Sequence, residues 1–123
     1  CKVPENAAMC YWTRGRLQPS MVTGAWKMWK IGTNRIVTIL SAGVNVHQRT
    51  EEEVQNPIFP DNLERAYRAE IPRVEKLNQL LPDRVYADFE ICPLEPEREG
   101  ESQVVCIESA KNIFFEGSKR GYR

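Results

Sequence analysis

The sequence contains a single histidine, His47, and its seven glycines are scattered along 123 residues. A Ser–His–acid triad would have to use His47, which stands in a polar segment, and no Gly-x-Ser-x-Gly motif accompanies it. No glycine-rich phosphate-binding loop is present either. The acidic runs at residues 51–53 and 95–101 are typical of solvated loops. These absences indicate a protein that is not an enzyme, and we predict no catalytic residue and no cofactor.

Long apolar runs are also missing. The longest spans residues 36–40 and is interrupted by Thr38, which is far too short for a helix that crosses a bilayer. Hydrophobic residues make up 41% of the chain and charged residues 28%, a balance that excludes a disordered protein and fits one globular domain.

The net charge is zero, but it is unevenly distributed. Residues 1–40 carry six Lys or Arg and one Glu, a net of +5, whereas residues 41–123 carry eleven basic against sixteen acidic residues, a net of −5. The basic region could face an anionic partner. Alternatively, its charges solvate strand faces and pair with the acidic region.

The first residue is a cysteine, and a short polar stretch follows it. Signal peptidase leaves an N-terminal cysteine on bacterial lipoproteins, whose lipid then holds them on a membrane surface without a spanning segment. We therefore predict lipidation at Cys1, a tether or arm over residues 1–9, and one domain over residues 10–123. The alternative is a fragment boundary that happens to fall on a cysteine.

Five segments have the β-branched, aromatic or alternating patterns of strands: residues 10–17, 22–31, 35–41, 85–92 and 104–110. The last strand could reach Phe115. Residues 42–60 predict a loop that could hold a short helical turn, and residues 61–81 have the apolar spacing of a helix, with a kink or break at Pro72. The order β-β-β-α-β-β, mainly β with one helical insertion, is the connectivity of a five-stranded OB-like barrel.

Two cysteines fall at matching positions of the last predicted hairpin. A hairpin that is symmetric about Glu99 places Cys92 directly opposite Cys106, where the Cβ atoms are close enough for a disulfide. We therefore predict a Cys92–Cys106 disulfide and an oxidising compartment, with two separate buried thiols as the alternative. Two cysteines and His47 do not supply the four ligands of structural zinc, so no metal is predicted. Cys10 is interpreted as a small buried apolar residue.

Aromatic and basic residues interleave in the first two predicted strands, and six of them form a candidate ligand-binding set: Trp12, Arg14, Arg16, Trp26, Lys27 and Trp29. OB-folds stack bases on aromatic side chains and neutralise phosphates with basic ones. Strand alternation places Trp26 and Trp29 on opposite faces, so at least one of them should belong to the core. Export makes nucleic acid an improbable ligand, and a sugar, lipid or peptidoglycan ligand stays open.

Four short blocks carry a resemblance to known proteins: Cys10 with Gly15-Arg16-Leu17, Trp29-Lys30-Ile31-Gly32-Thr33 with Arg35, Phe89 with Cys92-Pro93, and Val105-Cys106-Ile107-Glu108. These blocks resemble a group of small exported or lipoprotein-like bacterial proteins that have no assigned activity. The resemblance implies a periplasmic or outer-membrane-associated location and supports the Cys92–Cys106 disulfide. It transfers no catalytic residue.

Together these observations predict a non-enzymatic accessory or structural subunit of a bacterial envelope assembly. It would have protein partners and contact the membrane surface through a lipid on Cys1. Strand edges, residues 42–60 and the basic tail would supply contacts, the tail being Lys119, Arg120 and Arg123. The alternative function is an OB-type module that binds a glycan or single-stranded nucleic acid through the six residues above.

Overall fold

Five strands form a closed barrel in a computed structural model of the chain, which describes residues 1–20, 22–76, 84–116 and 121–122. The barrel strands are β1 (Tyr11–Pro19), β2 (Trp26–Lys30), β3 (Ile36–Ile39), β4 (Val85–Pro93) and β5 (Val104–Phe115). A short β6 (Gly121–Tyr122) pairs with β5. Helices α1 (Glu51–Gln55) and α2 (Asp61–Lys76) separate β3 from β4, and a 3₁₀ turn, Ala7–Met9, precedes β1.

The barrel closes because β3 pairs with two neighbours. The antiparallel order is β3-β2-β1-β4-β5, and β3 also pairs in parallel with β5 through Thr38 with Val104 and Ile39 with Val105. Closure leaves these five strands without long open edges. This connectivity, with helices between the third and fourth strands, confirms the predicted OB-like barrel.

Alternation along the strands fills the barrel interior. Side chains with 0% exposure come from every barrel strand, for example Leu17, Met28, Ile39, Phe89 and Ile113. The second strand is shorter than predicted, because residues 22–25 precede it in a turn that is closed by hydrogen bonds between Ser20 and both Gly24 and Ala25. The fifth strand reaches Phe115, the longer of the two predicted ends.

Hydrogen bonds fix the start of α1, and buried side chains hold α2 against the barrel. Thr50 caps α1, since its hydroxyl accepts from the Glu53 N–H while the Glu53 carboxylate accepts from the Thr50 N–H. In α2, Leu63 is fully buried, and the Tyr67 ring packs edge-on against Phe115 with centroids 4.8 Å apart. The helical segment thus covers one end of the barrel.

Two details of the helix prediction have different outcomes. Of the two alternatives at Pro72, the break into two helices is wrong, because α2 continues without interruption from Asp61 to Lys76, and the kink stays a prediction. The predicted end of the helix at residues 81–83 and the basic tail at residues 119, 120 and 123 lie outside the described residues.

Gly15 stands where the barrel wall leaves no room for a side chain. A Cβ atom there would lie 2.7 Å from Sδ of Met28 and 3.1 Å from Cδ2 of Phe89. We expect Gly15→Ala to lower the free energy of unfolding by about 1–3 kcal/mol, because both neighbours are fully buried and must shift. Urea unfolding measures the change. An unaltered midpoint would mean that the flexible Met28 side chain moves aside without cost.

Candidate functional site

The four cysteines form two disulfides, Cys1–Cys106 and Cys10–Cys92. The predicted Cys92–Cys106 disulfide is therefore wrong, although the register behind it is confirmed, because these two residues are direct partners in the β4–β5 ladder. The prediction considered only the hairpin, whereas the N-terminal segment lies beside it and supplies two further sulfur atoms. Cys10 is accordingly a disulfide partner and not a free buried thiol.

Residues 1–10 lie against the barrel and do not extend away as the predicted tether. Besides the two disulfides, the Lys2 ammonium lies 2.8 Å from a Glu90 carboxylate oxygen, and the Lys2 backbone N–H donates to Glu108 at 2.8 Å. The hydrogen bond to Glu90, and then its charge, raise the pKa of Lys2. A thioether-linked lipid needs the Cys1 thiol, so the predicted lipidation and the Cys1–Cys106 disulfide exclude each other.

Five of the six predicted ligand-binding residues lie on the outer face of the barrel: Trp12, Arg14, Arg16, Lys27 and Trp29. Trp26 lies on the inner face, on the same side of its strand as the fully buried Met28. Its ring packs edge-on against Phe59 at 5.1 Å, and its Nε1–H donates to the Gln55 carbonyl at 3.2 Å. Trp26 therefore belongs to the core at the helix-covered end, as alternation predicted for one member of the Trp26–Trp29 pair.

One register line on the outer face crosses all five barrel strands and carries one arginine among large apolar and aromatic side chains. Its successive cross-strand partners are Ile36, Trp29, Arg16, Tyr86 and Phe114, which we call the aromatic row. Ile36 is 53% exposed and Phe114 40% exposed. The Arg16 guanidinium lies 4.8 Å from the centroid of the Trp29 ring, in cation–π contact.

A paired charge network borders the aromatic row on one side. Arg14 lies 3.6 Å from Asp88 and donates to the Asn112 carbonyl at 2.9 Å, and the Asn112 amide donates to Asp88 at 2.8 Å. Asn112 has φ 53°, the left-handed region that asparagine tolerates better than most residues. Lys111 covers the half-exposed Trp12 ring at 4.3 Å. The charges on this side already have partners.

A cavity of about 450 Å³ borders the row on the other side, and we call it the basic cavity. Its ionisable lining residues are Lys27, His47, Arg49, Glu95, Arg98 and Glu101. The Lys27 ammonium donates to the Thr38 hydroxyl at 2.7 Å. Burial lowers the pKa of Lys27, and the positive charge of Arg49 lowers it further. An anionic group in the cavity would offset both effects.

Two buried polar atoms on the outer face of β1 have no hydrogen-bond partner among the described residues, namely Nε of Arg16 in the aromatic row and Oε1 of Gln18 beside it. Gln18 is the cross-strand partner of Lys27, so the two atoms join the aromatic row to the basic cavity. A buried donor or acceptor without a partner costs free energy, which a bound ligand could recover. The sequence motif contained Arg16 but could not identify Gln18, Tyr86 or Phe114, because only the register places them beside it.

No helix within the described ranges is long and apolar enough to cross a membrane. The outer face of the barrel, with its aromatic row and basic cavity, is the candidate functional site. Comparison of the chain with protein-family models, with curated proteins and with solved structures gives no match.

Proposed function

We propose that the protein is a non-enzymatic, exported binding domain that serves as an accessory subunit of an envelope assembly. Its aromatic row contacts apolar side chains of a partner protein, and its basic cavity receives an acidic side chain of that partner. The observation that carries this proposal is the continuous surface formed by the row and the cavity across the barrel strands.

The composition of the row supports a protein partner. Trp, Tyr and Arg are enriched among the residues that dominate binding energy at protein interfaces, and Trp29, Tyr86 and Arg16 are neighbours in the centre of the row. Because the barrel is closed, the row follows its circumference, and the three central residues on adjacent strands span about 10 Å of the surface that one partner can contact.

The basic cavity supports an acidic group on the partner. Lys27 is held partly out of water beside Arg49, and this arrangement disfavours its charged form until a negative charge joins it. Glu95 and Glu101 also line the cavity, so its surface is not uniformly positive. An acidic group is therefore favoured only where it lies close to Lys27 and Arg49. A partner segment that carries a carboxylate beside apolar side chains would fit both parts of the surface. Its carboxylate would enter the basic cavity, and its apolar side chains would contact the aromatic row.

The two disulfides support export, because such bonds persist in oxidising compartments outside the cytoplasm. The proposal includes no lipid on Cys1, since the disulfide uses that thiol. Contact with the envelope would then depend on the partner protein. Intact mass with and without reduction, measured on protein from its native source, reports both the disulfides and any added lipid.

Photo-crosslinking tests the docking surface in native envelope extracts. A crosslinking phenylalanine analogue in place of Phe114 should yield one defined protein adduct, and the same analogue in place of Met9 should not. Met9 is a matched control because it is 56% exposed but lies on the N-terminal segment. Equal adducts from both positions would contradict the proposal.

Single substitutions then test the contributions of the row and the cavity. We expect Trp29→Ala, Arg16→Ala and Lys27→Met each to lower the adduct yield from position 114 at least about tenfold, since central interface residues contribute about 2 kcal/mol or more. Arg65→Ala is the matched control, because Arg65 is exposed on α2 and belongs to neither the aromatic row nor the basic cavity. Loss of yield with Arg65→Ala would point to a general defect.

The half-exposed indoles with cations over their rings also favour a second candidate, a ligand that stacks on them. Titration of tryptophan fluorescence with an acidic oligosaccharide and with single-stranded DNA separates the two functions. A protein-docking domain shows no saturable change. Saturable quenching that Trp29→Phe abolishes would instead establish the glycan- or nucleic-acid-binding module.

A further inference from the structure

The four cysteine sulfur atoms meet at one place beside β4 and β5. The Sγ atoms of Cys1, Cys92 and Cys106 lie within 4.8 Å of one another, and Sγ of Cys10 is bonded to Sγ of Cys92. Cys92 is fully buried and Cys106 is 2% exposed, whereas Cys1 and Cys10 are partly exposed. The cluster therefore has an enclosed side and a side that a small ion can reach.

We propose that the reduced chain binds one Zn²⁺ ion through the thiolates of Cys1, Cys10, Cys92 and Cys106. Tetrahedral zinc with thiolate bonds of about 2.3 Å places its sulfur ligands about 3.8 Å apart. The sulfur atoms of Cys1, Cys92 and Cys106 already lie within 4.8 Å of one another. Reduction breaks the Cys1–Cys106 and Cys10–Cys92 bonds, and the two atoms of each pair must then separate to this spacing. Four thiolates in a closed tetrahedral site are the ligand set that selects zinc among the common divalent ions.

The surroundings of the cluster favour the entry of a cation. A cavity of about 350 Å³ opens beside Cys1 and Cys106, and Glu108 lines it. Glu90 lies on the same side of the barrel, where it pairs with Lys2. These carboxylates favour a positive ion near the thiols, and Lys2 limits the negative charge that accumulates when all four thiols lose their protons.

In the cell the chemistry needs a dithiol reductant and no other co-reactant, and a phosphine can take the place of the dithiol in vitro. Each disulfide takes two electrons and two protons from one dithiol, which yields two cysteine thiols and leaves the reductant as a disulfide. Zn²⁺ then forms four bonds to sulfur, and the four thiol protons pass to solvent. Dithiol reductants keep cysteines reduced in the cytoplasm, so the zinc form precedes export, a point that rests on the proposed function.

Titration of the full chain with Co²⁺ tests the site directly. The chain is reduced with a phosphine under anaerobic conditions, and Co²⁺ reports thiolate coordination by charge-transfer and tetrahedral visible absorption bands. We expect saturation at one ion per chain and loss of the bands when Zn²⁺ is added. Cys1→Ser and Cys10→Ser should each lose the four-thiolate spectrum, whereas the control His47→Ala should keep it.

The folded state of the reduced chain is measured in the same series. If reduction unfolds the chain, Zn²⁺ should restore its far-ultraviolet circular dichroism, because binding then drives folding. The proposal is overturned if thiolate bands do not form, if Cys1→Ser keeps them unchanged, or if Co²⁺ binds with equal affinity in concentrated urea. These outcomes concern the cysteine cluster alone and leave the proposed docking surface untouched.

Discussion

Loss of one disulfide is expected to lower the free energy of unfolding by about 3 kcal/mol, and loss of both by about 8 kcal/mol. The two bridges span 105 and 82 residues, which differ by 23. While one disulfide is intact, the other closes a loop of only 23 residues. Loss of the first disulfide therefore lowers the free energy of unfolding by less than loss of the second. The second loss releases the long loop of 82 residues and costs about 4.5 kcal/mol more.

A total of about 8 kcal/mol is comparable to the whole stability of a domain of this size, so the chain without bridges should be largely unfolded. The variants Cys1→Ser with Cys106→Ser, Cys10→Ser with Cys92→Ser, and all four together measure the steps by urea unfolding in the presence of a chelator. Peptide mapping without reduction checks the pairing. Equal stability of the wild type and the four-serine variant would refute this account.

Phe89→Ala is expected to lower the free energy of unfolding by about 3–5 kcal/mol and to leave the docking surface chemically intact. Phe89 is fully buried among the core residues contributed by the barrel strands and by α2. Removal of its ring leaves a cavity that a closed barrel cannot collapse to fill. This is the largest effect that we expect from a single substitution in the barrel.

Phe114→Ala is the matched comparison, because the same ring is removed from the outer face of β5. Phe114 is 40% exposed, so its removal should cost less than about 1 kcal/mol. We expect it nevertheless to weaken partner capture, which can be measured with the crosslinker at position 36. If Phe89→Ala and Phe114→Ala lower the free energy of unfolding equally, Phe114 stabilises the barrel. It would then no longer count as an exposed contact residue of the aromatic row.

Much of the barrel could be predicted from local pattern. Alternation in residues 85–92 and the apolar residues from Val104 onward identify β4 and β5, because one face of each strand must be buried. Even the direct opposition of Cys92 and Cys106 follows from the symmetry of their hairpin. The same symmetry would place Glu90 opposite Glu108, but a register shift after Glu90 places Ser109 opposite it. A bulge of this kind has no reliable local signal.

The candidate surface could be predicted only in part. Trp12, Arg14, Arg16, Lys27 and Trp29 stood out because aromatic and basic residues interleave in β1 and β2. The row residues on the other strands could not be identified in this way, since the sequence pattern does not distinguish an outward Tyr or Phe of the row from other strand residues. Their membership depends on the register between strands that are distant in the chain, and that register follows from how the core packs.

Local patterns in the chain are enough to predict the mainly β fold, the order of its strands and the helical insertion, because period-two and helical patterns reflect local burial. The disulfide pairing follows from tertiary contacts, since Cys1 and Cys10 reach their partners across 105 and 82 residues. Tertiary contacts also set which residues line the outer face as one surface. Contacts between distant segments depend on the closure of the barrel and leave no periodic mark in the chain.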